Sequence, residues 1–161
     1  MIVVSNTTPL SELAKVGQIN LLPEVFGQII IPQEVYHEVT TGTHPAAKEV
    51  QFVNWIEIFS IRNRQQVSIL QAETGLDLGE SATIILAEEL GADRVLIDEL
   101  AARKVAQSRN IPITGTVGIL LVAKNQGLIS GVKPILDALI KQGTRIGQVL
   151  YQEILAIAQE S

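Results

Sequence analysis

Four polar residues in separate parts of this chain have side chains suited to metal-assisted phosphate chemistry: Asn6, Glu38, Glu80 and Asp98. Three of them are acids, and carboxylates that lie close together repel one another unless a divalent cation sits between them. A cation held in this way activates water and neutralises charge when a phosphate ester is broken. The pattern therefore suggests a metal site, in which Asn6 is the one member without a charge.

Short β-branched runs alternate with helical stretches, which predicts an α/β fold with a parallel sheet. The expected strands are 2–4, 29–31, 55–59, 95–97 and 111–114, with 115–118 as a turn. One helix is expected to start near Thr8, and a short one to follow the loop at 41–45. The other expected helices cover 33–40, 63–74, 80–90, 99–110, 119–126, 133–141 and 147–159. Ligands of such sheets bind beyond the carboxyl ends of the strands.

Three of the candidate residues are expected at this carboxyl edge. Asn6 comes two residues after the first strand, and Asp98 directly follows the strand at 95–97. Glu80 opens a helix that runs back before that strand, so the start of its helix lies at the same edge. Thr114 and Thr116 follow the last strand and could orient water or phosphate there.

The fourth position is open between two glutamates of the helix at 33–40. Geometry alone favours Glu34 over Glu38, because Glu34 is closer to the carboxyl edge. The two residues lie one turn apart, so they could also form a solvated helix face.

The other candidates also have ordinary structural interpretations. Asp98 stands where the N-cap of the next helix belongs. Asp77 and Glu80 have the three-residue spacing of a capping box, and acids in a first turn suit the helix dipole. Asn6 could form an Asx-turn. Each signal is weak by itself, and the expected convergence is what favours a functional site.

Composition limits the class of protein. The chain has 161 residues, of which 47% are hydrophobic and 18% charged, so we expect a single globular domain over residues 1–161. The absence of cysteine excludes disulfides, thiolate metal sites and cysteine nucleophiles, and suits a reducing cytoplasm. We expect no signal peptide and no membrane anchor. A net charge of −5 argues against tight, nonspecific nucleic-acid binding.

Six ordered blocks of sequence resemble a subfamily of PIN domains, the small prokaryotic proteins regarded as VapC-type toxins of toxin–antitoxin pairs. The blocks cover about residues 1–155. They are 2–10 (IVVSNTTPL), 31–39 (IPQEVYHEV), 76–84 (LDLGESATI), 96–106 (LIDELAARKVA), 114–120 (TGTVGIL) and 123–129 (AKNQGLI).

The resemblance implies a three-layer α/β/α fold with a mainly parallel central sheet, and an endoribonuclease that depends on Mg²⁺ or Mn²⁺. It selects Glu38 over Glu34, because EVTTG at 38–42 resembles the family's Glu-hydrophobic-x-x-Gly. It places the family's acidic, metal-binding cluster, with one adjacent acid, on Asn6, Glu38, Glu80, Asp98 and Glu99.

This sequence departs from the family's pattern at Asn6, where the motif has Asp. An amide oxygen still ligates Mg²⁺, but it brings no negative charge and bridges metals less well. Weak activity or a higher metal requirement is therefore expected. Thr7, Thr114 and Thr116 are the expected supporting residues.

The resemblance also implies partners. Members of the family commonly form homodimers and are silenced by a small antitoxin that fills the acidic groove, often through a basic side chain. The C-terminal helices could supply apolar contact surface or only cover the sheet. The residues concerned are Ile140, Ile146, Leu150, Tyr151 and Ile154.

Two alternatives to the nuclease differ in class. One is a degenerate PIN-like module that binds protein or RNA without cleaving, which Asn6 and the net charge favour. The other is a phosphoryl-accepting receiver domain. It needs an acidic pair after the first strand and a lysine after the last, and the sequence supplies neither.

Overall fold

A computed structural model describes all 161 residues as five strands and ten helices. The strands are β1 (Val3–Ser5), β2 (Ile29–Pro32), β3 (Ile56–Phe59), β4 (Arg94–Leu96) and β5 (Ile113–Thr114). The helices are α1 (Thr7–Lys15), α2 (Leu21–Phe26), α3 (Gln33–Thr40), α4 (Ala47–Phe52), α5 (Arg64–Thr74), α6 (Leu78–Leu90), α7 (Leu100–Ser108), α8 (Thr116–Asn125), α9 (Lys133–Lys141) and α10 (Gln148–Ile157).

The five strands form one sheet in the order β3-β2-β1-β4-β5, and every neighbouring pair is parallel. In the centre, β1 pairs with β4 so that Val4 lies opposite Val95 and Ser5 opposite Leu96. All five strands therefore end at the same edge, which confirms the predicted α/β fold with a parallel sheet.

Alternating side chains of the central strands enter two separate cores. On β1, Val3 belongs to a cluster with α1, α2, α3, α8, α9 and α10, whereas Val4 belongs to a cluster with α5, α6 and α7. On β4, Val95 and Leu96 divide in the same way. Successive side chains of a strand point to opposite faces of the sheet, and here helices cover both faces. The result is the three-layer α/β/α arrangement that the resemblance implies.

Several predicted boundaries are wrong by a few residues. Helix α3 has the predicted bounds, but α6 begins at Leu78 because Asp77 caps it. Helix α8 begins at Thr116 with Gly115 as its N-cap, so residues 116–118 of the expected turn are already helical. Helix α2 was not predicted. It has only six residues and includes Pro23, and its Leu21 and Leu22 are buried in the core.

The C-terminal helices α9 and α10 contribute side chains to the core that contains Val3, and they also carry exposed apolar residues. Ile154 is buried in the core, whereas Leu150 is 49% exposed. Neither the C-terminal helices nor any of the others is long and apolar enough to cross a membrane.

Glu160 connects the end of the chain to the start of α9 through hydrogen bonds. Its carboxylate accepts hydrogen bonds from Lys124 Nζ at 2.8 Å, from the backbone N–H of Val132 at 2.8 Å and from that of Lys133 at 3.0 Å. These bonds, the one from Lys124 foremost, lower the pKa of Glu160 from 4.5 to about 2. The ionised form is thus the one that stabilises the fold.

We expect Glu160→Gln to lower Tm at pH 7 by about 2–4 °C. A partly exposed carboxylate of this kind contributes about 1 kcal/mol, which corresponds to about 2–4 °C in the Tm of a chain of this size. Because the pKa is lowered on folding, this contribution is complete above pH 4.5 and is lost as the pH falls towards 2. In thermal melts of both proteins between pH 7 and pH 3, the difference in Tm should therefore be constant above about pH 5 and shrink as the pH falls below 4.5.

Glu153→Gln is the matched control, because Glu153 is exposed on α10 and its side chain makes no hydrogen bond or ion pair. A constant difference in Tm between Glu160→Gln and the wild type at every pH would contradict this account of Glu160.

Candidate active site

The carboxyl ends of β1, β4 and β5 bring several polar side chains to one edge of the sheet. Asn6 follows β1 directly, and its backbone N–H donates to the carbonyl of Leu96 at the end of β4, at 3.0 Å. This bond continues the pairing of the two central strands by one residue. Asn6 is 4% exposed, so its side chain is held where the two strands end.

The side chain of Asn6 points to the second acid after β4. Its Nδ2 donates to Glu99 Oε2 at 3.4 Å, and Thr8 Oγ1 donates to the other carboxylate oxygen of Glu99. Asn6 is the N-cap of α1, but its side chain makes no capping bond, so the Asx-turn interpretation does not describe it. The start of α1 therefore supplies both donors that hold the Glu99 carboxylate.

Asp98 takes its donors from the start of α8. The backbone N–H of Thr116 donates to Oδ1 at 2.7 Å, and the Thr116 hydroxyl donates to Oδ2 at 2.6 Å. The interpretation of Asp98 as the N-cap of the next helix is wrong, because Glu99 occupies that position in α7. Asp98 instead places a negative charge at the amino end of α8, where the helix dipole favours it.

Burial raises the pKa of Asp98, and the two hydrogen bonds from Thr116 offset part of that rise. The negative charges of Glu99 and Glu12 raise it further. Asp98 is thus an acid whose charge is costly in this environment, which is the condition that a bound cation relieves.

Glu80 forms the capping box expected from its spacing to Asp77. The backbone N–H of Glu80 donates to Asp77 Oδ1 at 2.7 Å, and the backbone N–H of Asp77 donates to Glu80 Oε1 at 3.1 Å. Burial raises the pKa of Glu80, the backbone bond with Asp77 lowers it, and the charges of Asp77 and Glu99 raise it again. Glu80 therefore has a structural role, and its charge also interacts with that of Glu99.

The absence of a side chain at Gly79 leaves room for Glu38 at the start of α6. A Cβ on Gly79 would lie 2.7 Å from Glu38 Oε2 and 3.6 Å from Asn6 Oδ1. The side chains of Glu38 and Asn6 thus both lie close to Gly79. Glu34 is instead 91% buried as a partner of Arg64 at 3.5 Å, and its Oε1 has no hydrogen-bond partner.

The three expected supporting threonines differ in their contacts. The hydroxyl of Thr116 is bonded to Asp98, and that of Thr114 accepts from Arg94 Nη1 at 2.7 Å. The buried hydroxyl of Thr7 has no hydrogen-bond partner. Of the three hydroxyls, only that of Thr7 is uncommitted within the protein.

Two residues of α1 at this edge were missed in the sequence. Thr8 binds Glu99, and Glu12, one turn later, lines a cleft together with Thr8 and Asp98. Their spacing of four residues places both on one face of the helix that follows Asn6. This spacing is the sequence feature from which Thr8 and Glu12 could have been predicted as residues of the site.

The donor types at this edge suit Mg²⁺ or Mn²⁺, because carboxylate and amide oxygens are the ligands that hard cations prefer. Nevertheless, no group of three or more His, Cys, Asp or Glu side chains lies close enough to hold a metal ion. Glu99, Glu80 and Asp98 are each bonded to donors of the protein. The oxygen ligands present are chemically suited to such an ion. To share one ion, these carboxylates would have to give up hydrogen bonds with the protein.

Comparison with known proteins identifies one family. The family model described as DUF3368: PIN domain matches residues 2–160. No curated protein and no solved structure matches the chain.

We expect Thr116→Val to raise the pKa of Asp98 above its wild-type value. The substitution removes the hydroxyl donor that stabilises the ionised carboxylate and leaves the burial unchanged. Carboxyl-carbon NMR titration in metal-free buffer measures this directly. Thr116→Ser is the control, since it keeps both donors and should titrate as the wild type does. An unchanged pKa in Thr116→Val would show that this hydroxyl does not stabilise the charge.

Proposed function

This chain belongs to the PIN-domain family DUF3368, and from that premise we propose that it is a metal-dependent endoribonuclease, the toxin of a toxin–antitoxin pair. PIN domains are in general nucleases, so the family indicates a hydrolase that acts on nucleic acid. The finer proposal is supported by the gathering of oxygen donors around the ends of β1 and β4. These donors are Asn6, Glu38, Glu80, Asp98 and Glu99.

The proposed ligands of Mg²⁺ or Mn²⁺ are Glu80, Asp98 and Glu38, with the amide oxygen of Asn6. When bound, the ion supplies an activated water and neutralises charge at the leaving oxygen of the phosphodiester. The protein positions the ligands: Thr116 holds Asp98, and the capping box holds Glu80. Glu99 lies next to them through its bonds with Asn6 and Thr8.

The protonation state of the ligands sets the pH dependence of such a site. A carboxylate must be ionised to ligate, and the pKa values of Asp98 and Glu80 are both raised by burial. As the pH is lowered, protons replace the cation and metal affinity falls. This loss should begin at a higher pH than it would for carboxylates with ordinary pKa values.

A second candidate is a PIN-like module that binds RNA or protein without cleaving. It is favoured by the bond from Asn6 to Glu99, in which an amide N–H stands where the family motif would put a negative charge. The hydrogen bonds of the protein then partly satisfy the acids in place of a cation. Metal-dependent cleavage decides between the two candidates.

The proposal includes a cytoplasmic homodimer and a small antitoxin with a basic side chain for the acidic edge. Two exposed leucines lie beside the acids: Leu78, 50% exposed, precedes Glu80 by two residues, and Leu100, 67% exposed, follows Glu99. Neither Glu80 nor Glu99 forms an ion pair, and apolar surface next to negative charge suits a partner that has both apolar and basic residues.

Asp98→Asn should lower metal-dependent cleavage of a structured RNA at least about 10-fold, because a ligand worth about 1.4 kcal/mol changes metal affinity by one decade. Cleavage by the purified chain is measured in Mn²⁺ or Mg²⁺ and again in EDTA. Asp137→Asn is the matched control, because Asp137 is exposed on α9 and its amide oxygen can still accept from Tyr151. Cleavage that survives both EDTA and Asp98→Asn would refute the proposed site.

Asn6→Asp should lower Tm in EDTA by about 2–8 °C, for a cost of roughly 1–2 kcal/mol, because it replaces a donor to Glu99 with a second carboxylate. Added Mn²⁺ should then raise Tm more in this variant than in the wild type, and cleavage should increase. Asn6→Ala removes the donor without adding charge, so Mn²⁺ should raise its Tm no more than it raises that of the wild type. An Asn6→Asp variant whose Tm ignores Mn²⁺ would contradict a cation site at this edge.

A further inference from the structure

Two clefts meet at Asp98. The first has a volume of about 470 Å³ and lies along β5, lined by Arg103 of α7, the start of α8 and Leu150 of α10. The second, of about 280 Å³, is lined by Thr8 and Glu12 of α1 and by the connection between α9 and α10. Asp98, Val117 and Leu150 line both clefts. Open space therefore extends from this carboxylate in two directions.

Each cleft contains one arginine that the protein leaves without a partner. Arg103 in the first cleft and Arg145 in the second make no ion pair and no side-chain hydrogen bond. The other arginines are all committed. Their partners are Glu89 for Arg62, Glu34 for Arg64, Thr114 for Arg94 and Glu88 for Arg109.

Both free arginines are held near the acidic edge. A Cβ on Gly115 would lie 2.8 Å from Arg103 Nη1 and 2.8 Å from Asp98 Oδ1, so the glycine leaves open the space between these two groups. Arg145 follows Thr144, whose hydroxyl donates to Glu12 Oε2 at 2.5 Å. That bond anchors the connection between α9 and α10 to α1, beside Asp98.

A polyanion brought to this edge meets the negative charges of Asp98, Glu99 and Glu12. Free guanidinium groups on both sides offset this repulsion, and their paired N–H donors match the oxygens of a phosphate. Between them, Leu150 offers apolar surface that is 49% exposed. Arg103 and Arg145 lie in the two clefts that meet at Asp98. This arrangement suits a nucleic-acid strand whose phosphates lie on both sides of the Asp98 carboxylate.

Building on the proposed function, we propose that Arg103 and Arg145 bind backbone phosphates on the two sides of the phosphodiester that is cut beside Asp98. Single-stranded RNA then occupies both clefts and passes Asp98 where they meet. Arg103 and Arg145 are positioning residues, which hold the strand and take no part in bond cleavage.

The test measures binding separately from cleavage. Fluorescence anisotropy of a labelled 12-nucleotide single-stranded RNA, with the full chain in EDTA, gives Kd over a series of salt concentrations. Each phosphate contact contributes about 0.7 to the slope of log K against log salt for single strands. Arg103→Gln and Arg145→Gln should each lower the slope by about 0.7 and weaken binding by about 5- to 10-fold, and the double variant should lower the slope by about 1.4.

Matched variants separate a phosphate contact from a general effect of charge. Arg103→Lys keeps the charge and should keep the slope. Lys48→Gln removes an exposed, unpaired cation of α4 that lines neither cleft, and should leave both slope and Kd unchanged. In cleavage assays with Mn²⁺, the two arginine variants should raise KM more than they lower kcat.

The subsite and the nuclease can fail separately. Wild-type cleavage with an unchanged slope, Kd and KM in both arginine variants would overturn the subsite and leave the nuclease standing. Slopes that fall in the arginine variants of a chain that cuts no RNA would support the subsite on a non-cleaving module. RNA that does not bind the wild type at low salt, or a Lys48→Gln variant that loses as much slope as the arginine variants, would also overturn the subsite.

Discussion

The parallel pairing of β1 with β4 at the centre of the sheet is the constraint on which the site depends. The two strands end together, and the bond from the Asn6 N–H to the Leu96 carbonyl extends their pairing by one residue. The residues that follow them, Asn6 on one side and Asp98 with Glu99 on the other, are thereby brought to one place. Both strands are buried on both faces, so this register cannot slip without moving each core residue to the opposite face.

Three acids at this edge accept hydrogen bonds from the protein. Thr116 of α8 donates to Asp98, the backbone N–H of Asp77 donates to Glu80, and Asn6 and Thr8 at the start of α1 donate to Glu99. These bonds stabilise the three carboxylates in the fold as it stands. No set of three acids lies close enough to share an ion. An ion bound as proposed would compete with the protein's own donors for the carboxylate oxygens.

Asn6 supplies one of these donors. As an amide it gives Glu99 a donor, whereas the carboxylate of the family motif would face Glu99 with a like charge. A carboxylate at position 6 makes the edge more dependent on a cation, and an amide makes it less so. Asn6 therefore weakens the case for catalysis, and it also stabilises this edge in the absence of a cation.

The sequence by itself determined the alternation of strands and helices, the bounds of α3, and the placing of Asn6 and Asp98 at the carboxyl edge. These follow from local patterns, since a residue directly after a parallel strand has to lie where that strand ends. Only the tertiary structure decided the order of the strands and the partner of each acid. The first turn of α8 forms at Thr116 because Asp98, 18 residues earlier, accepts its N–H, and α2 forms because Leu21 and Leu22 are buried. Contacts between residues so distant in the sequence leave no local pattern, so neither these two helix starts nor the lack of protein partners at Arg103 and Arg145 could be predicted from it.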